Sequence, residues 1–205
     1  MRHRMVLAGA LILLAGCINL GEGTRQRVRL YTLQPTVSAA EPRLGLAGQS
    51  VGVGPVYLPD YLQRTQVITL DTPNEYRLAE FGKWAEPLEE NILRVTAENL
   101  FRLLESERIL AFPWRSGRKP DYLIRMDIRR FETVTGDAAH LTVQWTIEPQ
   151  ESEKAPRSGL FQGKSPLQGE GTDAVVAAMS RTLGDFSRRI AEELARFAER
   201  GKAGS

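Results

Sequence analysis

Tyr122-Leu-Ile-Arg-Met-Asp-Ile-Arg-Arg-Phe131, followed by Leu141-Thr-Val-Gln-Trp-Thr-Ile147, decides the fold class of this chain. In the first run Tyr122, Ile124, Met126 and Ile128 share one side, with Arg125, Asp127 and Arg129 on the other. In the second, Leu141, Val143, Trp145 and Ile147 oppose Thr142, Gln144 and Thr146. Alternation of this kind has the two-residue period of a strand, whose successive side chains point to opposite faces. It demands a sheet with one covered face and one wetter face. Gly136-Asp137 and the polar stretch Pro149 to Ser158 supply turns, and Gly159 to Ser165 is a third strand candidate.

Downstream, Val176, Met179, Leu183, Phe186, Ile190, Leu194 and Phe197 step by three and four, the stripe of an amphipathic helix that Thr172 or Asp173 can cap. Arg181, Arg188, Arg189, Glu192, Glu193 and Arg196 fall mostly off the stripe, as a solvated back requires. Gly184 within it marks either a close approach to a neighbour or simple tolerance, since a helical glycine costs about 1 kcal/mol relative to alanine. Upstream, Val28 to Leu33 alternates as a first strand, Pro35 to Ser50 reads as a loop, and Val51 to Val56 is a second strand ended by Leu58-Pro59-Asp60. Val67 to Leu70 and Glu75 to Leu78 flank Asp71-Thr72-Pro73-Asn74, a β-hairpin pattern. Pro87 suits a first helical turn, after which Leu88, Ile92, Thr96, Leu100, Leu103 and Leu104 recur at helical steps, and Trp84 could pack on that turn. Strands, helix, strands, helix, without regular alternation, give an α+β single domain with two helices on one face of a mostly antiparallel mixed sheet.

The N-terminus carries a different message. Arg2 and Arg4, the apolar run Met5 to Ala15 and Leu14-Ala15-Gly16-Cys17 describe an export signal, too short to span a bilayer, which takes about 20 residues. Leu-Ala-Gly-Cys resembles the lipobox of bacterial lipoproteins, which implies cleavage before Cys17 and a covalent lipid on it. The expected divisions are residues 1–16 as signal peptide, 17–27 as lipidated tether, 28–200 as the domain and 201–205 as a flexible tail. Removing 16 of 205 residues leaves 189, and with Arg2 and Arg4 gone, 25 basic residues balance 25 acidic ones. A chain without net positive charge has no bulk attraction to nucleic acid. Cys17 is the single cysteine, so no disulfide forms within the chain. Ile18 stands where lipoproteins retained at the inner membrane usually carry aspartate, which points to the outer membrane.

Residues for catalysis are scarce. His140 is the only histidine after position 16, too few for a histidine-based zinc site without free thiols. It is also the one imidazole for a Ser-His-Asp triad, and no Gly-x-Ser-x-Gly elbow is present. Gly52-Val53-Gly54 fails as a dinucleotide loop, with Tyr57 where a third glycine belongs. The pairs Glu89-Glu90 and Glu192-Glu193 read as solvated helix faces. The expectation is a protein that is not an enzyme and has no cofactor or metal besides the lipid on Cys17. Tyr57, Leu58, Pro59, Tyr61 and Leu62 crowd apolar and aromatic side chains around Asp60, which marks either a protein contact or a loop folded back on the core.

Three segments in order resemble the PqiC (YmbA) lipoproteins, auxiliary components of ABC-type transport systems. They are Val51-Gly-Val-Gly-Pro-Val-Tyr-Leu-Pro-Asp-Tyr-Leu62, Leu78-Ala-Glu-Phe-Gly-Lys-Trp-Ala-Glu-Pro-Leu88 running into Asn99-Leu100, and Asp121-Tyr-Leu-Ile-Arg-Met-Asp-Ile-Arg-Arg-Phe-Glu132; Tyr31-Thr-Leu33 matches the family's opening strand. The likeness covers roughly residues 28 to 147. One departure is Ala79-Glu80-Phe81-Gly82, which stretches the link between hairpin and Trp84. The resemblance implies a non-enzymatic outer-membrane subunit that works with a periplasm-spanning MCE protein and an inner-membrane transporter component, and that assembles as a homo-oligomer. Such systems conduct phospholipid or other lipid between the two membranes. Tyr57, Leu58, Pro59, Tyr61, Leu62 and Trp84 are then the candidate docking residues. An activator of a cell-wall synthase is the alternative for an anchored domain of this kind.

Overall fold

The structure, a computed structural model, describes residues 27–46, 48–106, 108–114, 119–150 and 154–202. In chain order its elements are β1 (Arg29–Tyr31), β2 (Val51–Tyr57), a 3₁₀ turn (Asp60–Leu62), β3 (Gln66–Thr72), β4 (Glu75–Trp84), α1 (Leu88–Leu103), β5 (Ile109–Ala111), β6 (Tyr122–Val134), β7 (Ala138–Pro149), β8 (Arg157–Pro166) and α2 (Gly171–Lys202). The expected α+β domain is observed, as one eight-stranded open mixed sheet with two helices. Expected and observed strands differ at the start, where only Arg29–Tyr31 pairs, in parallel with β4, and Leu33 enters the core instead. Helix α2 continues to Lys202, two residues into the stretch expected as a tail. The expected signal peptide, Cys17 and residues 18–26 of the expected tether lie outside the described residues.

The alternation in β6 and β7 is used as read. Ile124, Met126, Ile128, Leu141, Val143, Trp145 and Ile147 are all buried toward the helices, and the two strands pair antiparallel along their lengths. A register shift between Ile128 and Arg130 moves the phase of β6 by one residue. Phe131 and Thr133 then turn inward, and Glu132 turns to the opposite face. A bulge does this because one extra residue flips every following side chain. Helix α2 covers β7 and β8 with its predicted stripe, including Met179, Leu183, Phe186, Ile190 and Leu194, all nearly inaccessible. Phe186 meets Phe161 of β8 edge-on, ring centres 5.4 Å apart. Helix α1 covers β2 and β5 and packs on α2.

Residues 32–37 run as a strap over both helices, and side chains rather than a strand ladder satisfy its backbone. Asn91 Oδ1 accepts from the Leu33 amide at 3.2 Å and Asn99 Oδ1 from the Val37 amide at 3.3 Å. Ser180 Oγ accepts from the Gln34 amide at 3.1 Å, and Asn99 Nδ2 donates to Ser187 Oγ at 3.2 Å. Gly184 is a close approach: a β-carbon there would lie 2.0 Å from Thr36 Oγ1. Further along, Glu41 takes two bonds from Arg188 at 2.9 Å each, and those bonds hold its carboxyl down at about 2.

One helix carboxylate departs from the expected solvated back. Glu193 is buried, because Arg189 and Arg196 of its own helix and Arg157 of β8 close over it at 2.9, 2.9 and 2.5 Å. A glutamate read as surface by spacing alone becomes the centre of a charge cluster once an edge strand supplies a third arginine.

Candidate functional site

Among the described residues helices cover one face of the sheet, and the other carries no helix. Strands β2 and β3 both run parallel to β6 on the same side of it: β2 ends at Tyr57 opposite Asp127, and β3 pairs with Thr133 and Val134. They occupy successive stretches of one edge, and residues 58–65 form the excursion between them. Within β2, the three steps from Val53 to Val56 oppose the two from Ile124 to Met126. Gly54 permits this irregularity with φ of 107°, a value that a side chain disfavours, and it precedes a cis Pro55. The excursion therefore begins just after a distorted strand end, beside the bulge of β6.

Tyr61 fixes the excursion to the open face. Its hydroxyl donates to Glu132 Oε2 at 2.7 Å, and its ring stacks on Tyr76 of β4 with centroids 4.9 Å apart. Glu132, 2 % exposed, also accepts from Arg130 Nε. A charge this deep needs such partners, since an isolated carboxylate is costly to desolvate. Burial, and then the bond to the carboxylate, push the Tyr61 hydroxyl far above the ordinary tyrosine range, so it remains a donor at physiological pH. Next to this pair lies an open depression of about 590 Å³ whose lining includes Leu70, Asp71, Tyr76 and Arg129.

The structure separates the sequence-derived candidates. Leu62 and Trp84 are in the core, Leu58 and Tyr61 pack partly against it, and Pro59 is half-buried. Tyr57 is 57 % exposed on the open face, where it pairs with Asp127. The two readings of this loop thus divide between its residues: one end is core, the other surface. Sequence reading missed Tyr76 and Leu78, exposed beside it on β4, and the anchoring Glu132. Hairpin alternation carried a hint, since Leu70 pairs with Tyr76 and Ile68 with Leu78 on the same face. The inserted Ala79 to Gly82 is absorbed in β4 itself, where the five steps from Leu78 to Lys83 oppose the two from Ile68 to Gln66. Thus the hairpin keeps its strand partner and gains a wide bulge.

His140 lies on the open face opposite Glu132, with Nε2 3.6 Å from Asp137 Oδ2, which also holds Lys164 Nζ at 3.0 Å. Among the described residues no hydroxyl bonds this imidazole, and no group of three His, Cys, Asp or Glu side chains could hold a metal ion. No described helix is long and apolar enough to cross a membrane.

Among the described residues the fold is thus a two-layer α+β module with an aromatic, partly apolar face that no helix covers. Residues 31–191 match a protein family, and the chain belongs to it: the ABC-type transport auxiliary lipoprotein components. Among solved structures, a protein from Xanthomonas campestris is similar at 18 % identity and a TM-score of 0.65, covering 84 % of this chain and 99 % of that one. An uncharacterized protein is similar at 20 % identity and a TM-score of 0.63, over 81 % and 99 % of the two chains. At such identities the likeness is one of fold. No curated protein matches the chain.

Proposed function

We propose that this chain is a non-catalytic subunit of an MCE-type intermembrane lipid transport system, held at the periplasmic face of the outer membrane by a lipid on Cys17. In this reading the chain docks a periplasm-spanning MCE-domain protein, linked in turn to the inner-membrane transporter component, through its open sheet face. The family's role as a transport auxiliary lipoprotein supports it. The observation that carries it is the open face itself, where Tyr57, Tyr76 and Leu78 are 57, 43 and 50 % exposed while Tyr61 and buried Glu132 hold the backbone beneath them. Aromatic side chains on a rigid base are what an interface centre requires. The domain divisions follow the same reading, with residues 1–16 removed and 17–27 linking lipid to fold.

The test is affinity recovery from detergent-solubilised membranes with the wild-type chain and a Tyr57→Ser, Leu78→Ser double variant. The wild type should recover the MCE-domain protein, and the variant should lose it at unchanged protein level and melting temperature. Recovery of a cell-wall synthase with no MCE-domain protein would overturn the proposal in favour of the activator reading.

A further inference from the structure

The strand edge nearest the lipid-bearing residue has a surface the docking face does not explain. Leu30, 66 % exposed, is the most exposed large hydrophobic side chain among the described residues, and Val28, two positions earlier, is 53 % exposed. Leu30 sits opposite Lys83 across the β1–β4 pairing. Arg27 and Arg29 alternate with the two apolar residues, and Arg25 continues the pattern in sequence. Among the described residues Arg27, Arg29 and Lys83 have no ion-pair partner. Between β1 and the first turns of α2 lies a cleft of about 490 Å³ that adds Arg181, Val176 and Asp173 to Arg29 and Leu30.

We infer that this edge, residues 27 to 30 with Lys83, seats on the anionic membrane surface to which Cys17 is tethered. The inference rests on the lipid-anchored reading of Cys17. Cys17 and Arg27 are ten positions apart, so the chain between them spans at most about 36 Å even when fully extended. Lipidation therefore keeps β1 within one small-domain diameter of the bilayer whatever the remainder of the domain does. Unpaired guanidinium and ammonium groups complement lipid phosphates, and in a mature chain of zero formal charge that attraction comes from local clusters such as this edge rather than from net charge. Val28 and Leu30 supply the apolar part, shallow enough to enter the headgroup boundary without spanning anything. Anchor and edge then act as two weak membrane contacts on one chain, which fix an orientation that a lipid on a tether alone leaves free.

The experiment uses the mature lipidated protein in vesicles of phosphatidylethanolamine and phosphatidylglycerol, with a nitroxide label on Leu30→Cys, Val28→Cys or, as a control on the far edge strand, Leu160→Cys. With the sulfur of the single native cysteine acylated, the label reaches only the introduced thiol. Collision with a water-soluble nickel relaxation agent should be about threefold lower at positions 28 and 30 than at 160, as headgroup-level burial requires. Arg27→Gln with Arg29→Gln, or exchange of phosphatidylglycerol for phosphatidylcholine, should return positions 28 and 30 toward the control. Equal accessibility at all three positions in lipidated protein would overturn the inference. So would spin–spin broadening that reports a second copy, or protection that appears only when a partner protein is added. Mass spectrometry of the same material separates the two readings: an unmodified Cys17 strikes the anchor itself.

Discussion

Two irregular segments, the strap over the helices at residues 32–37 and the excursion at residues 58–65, look alike as sequence and behave oppositely in the fold. Both are interrupted by proline and carry few charges. The strap lies on the closed side, its amides taken up by Asn91, Asn99 and Ser180 and its Thr36 pressed against Gly184. The excursion buries Leu62 in the core and is tied to the open face by one hydroxyl on one buried carboxylate, with Tyr57 left exposed at its start. A segment whose backbone polar groups are satisfied by buried side chains is structural, because leaving them unpaired is costly. A segment held by two of its side chains, Tyr61 and Leu62, can present the residues around them outward. That difference assigns stability to the strap and makes the excursion the segment to test for the proposed docking role.

The largest effect should come from breaking the strap at its tightest point. Gly184→Val places branched carbon where Thr36 sits, and overpacking of this kind should cost about 3 kcal/mol, read as a fall in the urea midpoint. A change within about 0.5 kcal/mol would mean that the strap yields freely and is no different from the excursion. Asn99→Ala orphans the Val37 amide and takes one donor from the Ser187 hydroxyl, which keeps its own bond to the Leu183 carbonyl, and should cost about 2 kcal/mol in the same measurement.

Tyr61→Phe probes the excursion's polar tether to the open face. It leaves Glu132 buried with the Arg130 guanidinium but without its hydroxyl donor, for a loss of about 1–2 kcal/mol. Unlike the strap variants, it should also weaken partner recovery, because it frees the ring that stacks on Tyr76.

Acid supplies a smaller and selective perturbation. Glu41 is lowered from 4.5 to about 2 by Arg188, so the stability it contributes is complete above pH 4.5 and is lost as pH falls through about 2. Glu41→Gln should flatten that part of the acid-unfolding curve and leave the curve at neutral pH nearly parallel to wild type. The smallest stability change belongs to Tyr57→Ser, within about 0.5 kcal/mol as for other exposed positions. Its expected consequence is in binding alone, which sharpens the contrast between the two segments.

The strands and helices were legible because each carries a period. Leu141, Val143, Trp145 and Ile147 point inward as their alternation required, and Met179, Leu183 and Phe186 do so at helical spacing. What lacked a period was not legible. Pro35 to Ser50 read simply as a loop, yet Val37 and Leu46 are fully in the core, and nothing local announces that Asn91 and Asn99 on a helix will receive a strap. Gly184 was ambiguous for the same reason, since its neighbour lies 148 residues away in sequence. The candidate site was half legible. The cluster from Tyr57 to Leu62 was visible from composition, but which member faces water depended on the bulges in β2 and β6, and Glu132 gained its place only through the phase change after Ile128.

The collinear placement of β2 and β3 along β6 has an evolutionary consequence. The ladder is fastened on both sides of residues 58–65, by Tyr57 opposite Asp127 and by Thr69 opposite Thr133, so a longer or shorter connection leaves either register untouched. Doubling such a connection adds only about 0.6 kcal/mol of closure entropy. Descendants of this scaffold that keep Leu62 in the core and the Tyr61 bond to Glu132 can therefore vary the rest of that connection while inheriting the remaining architecture unchanged.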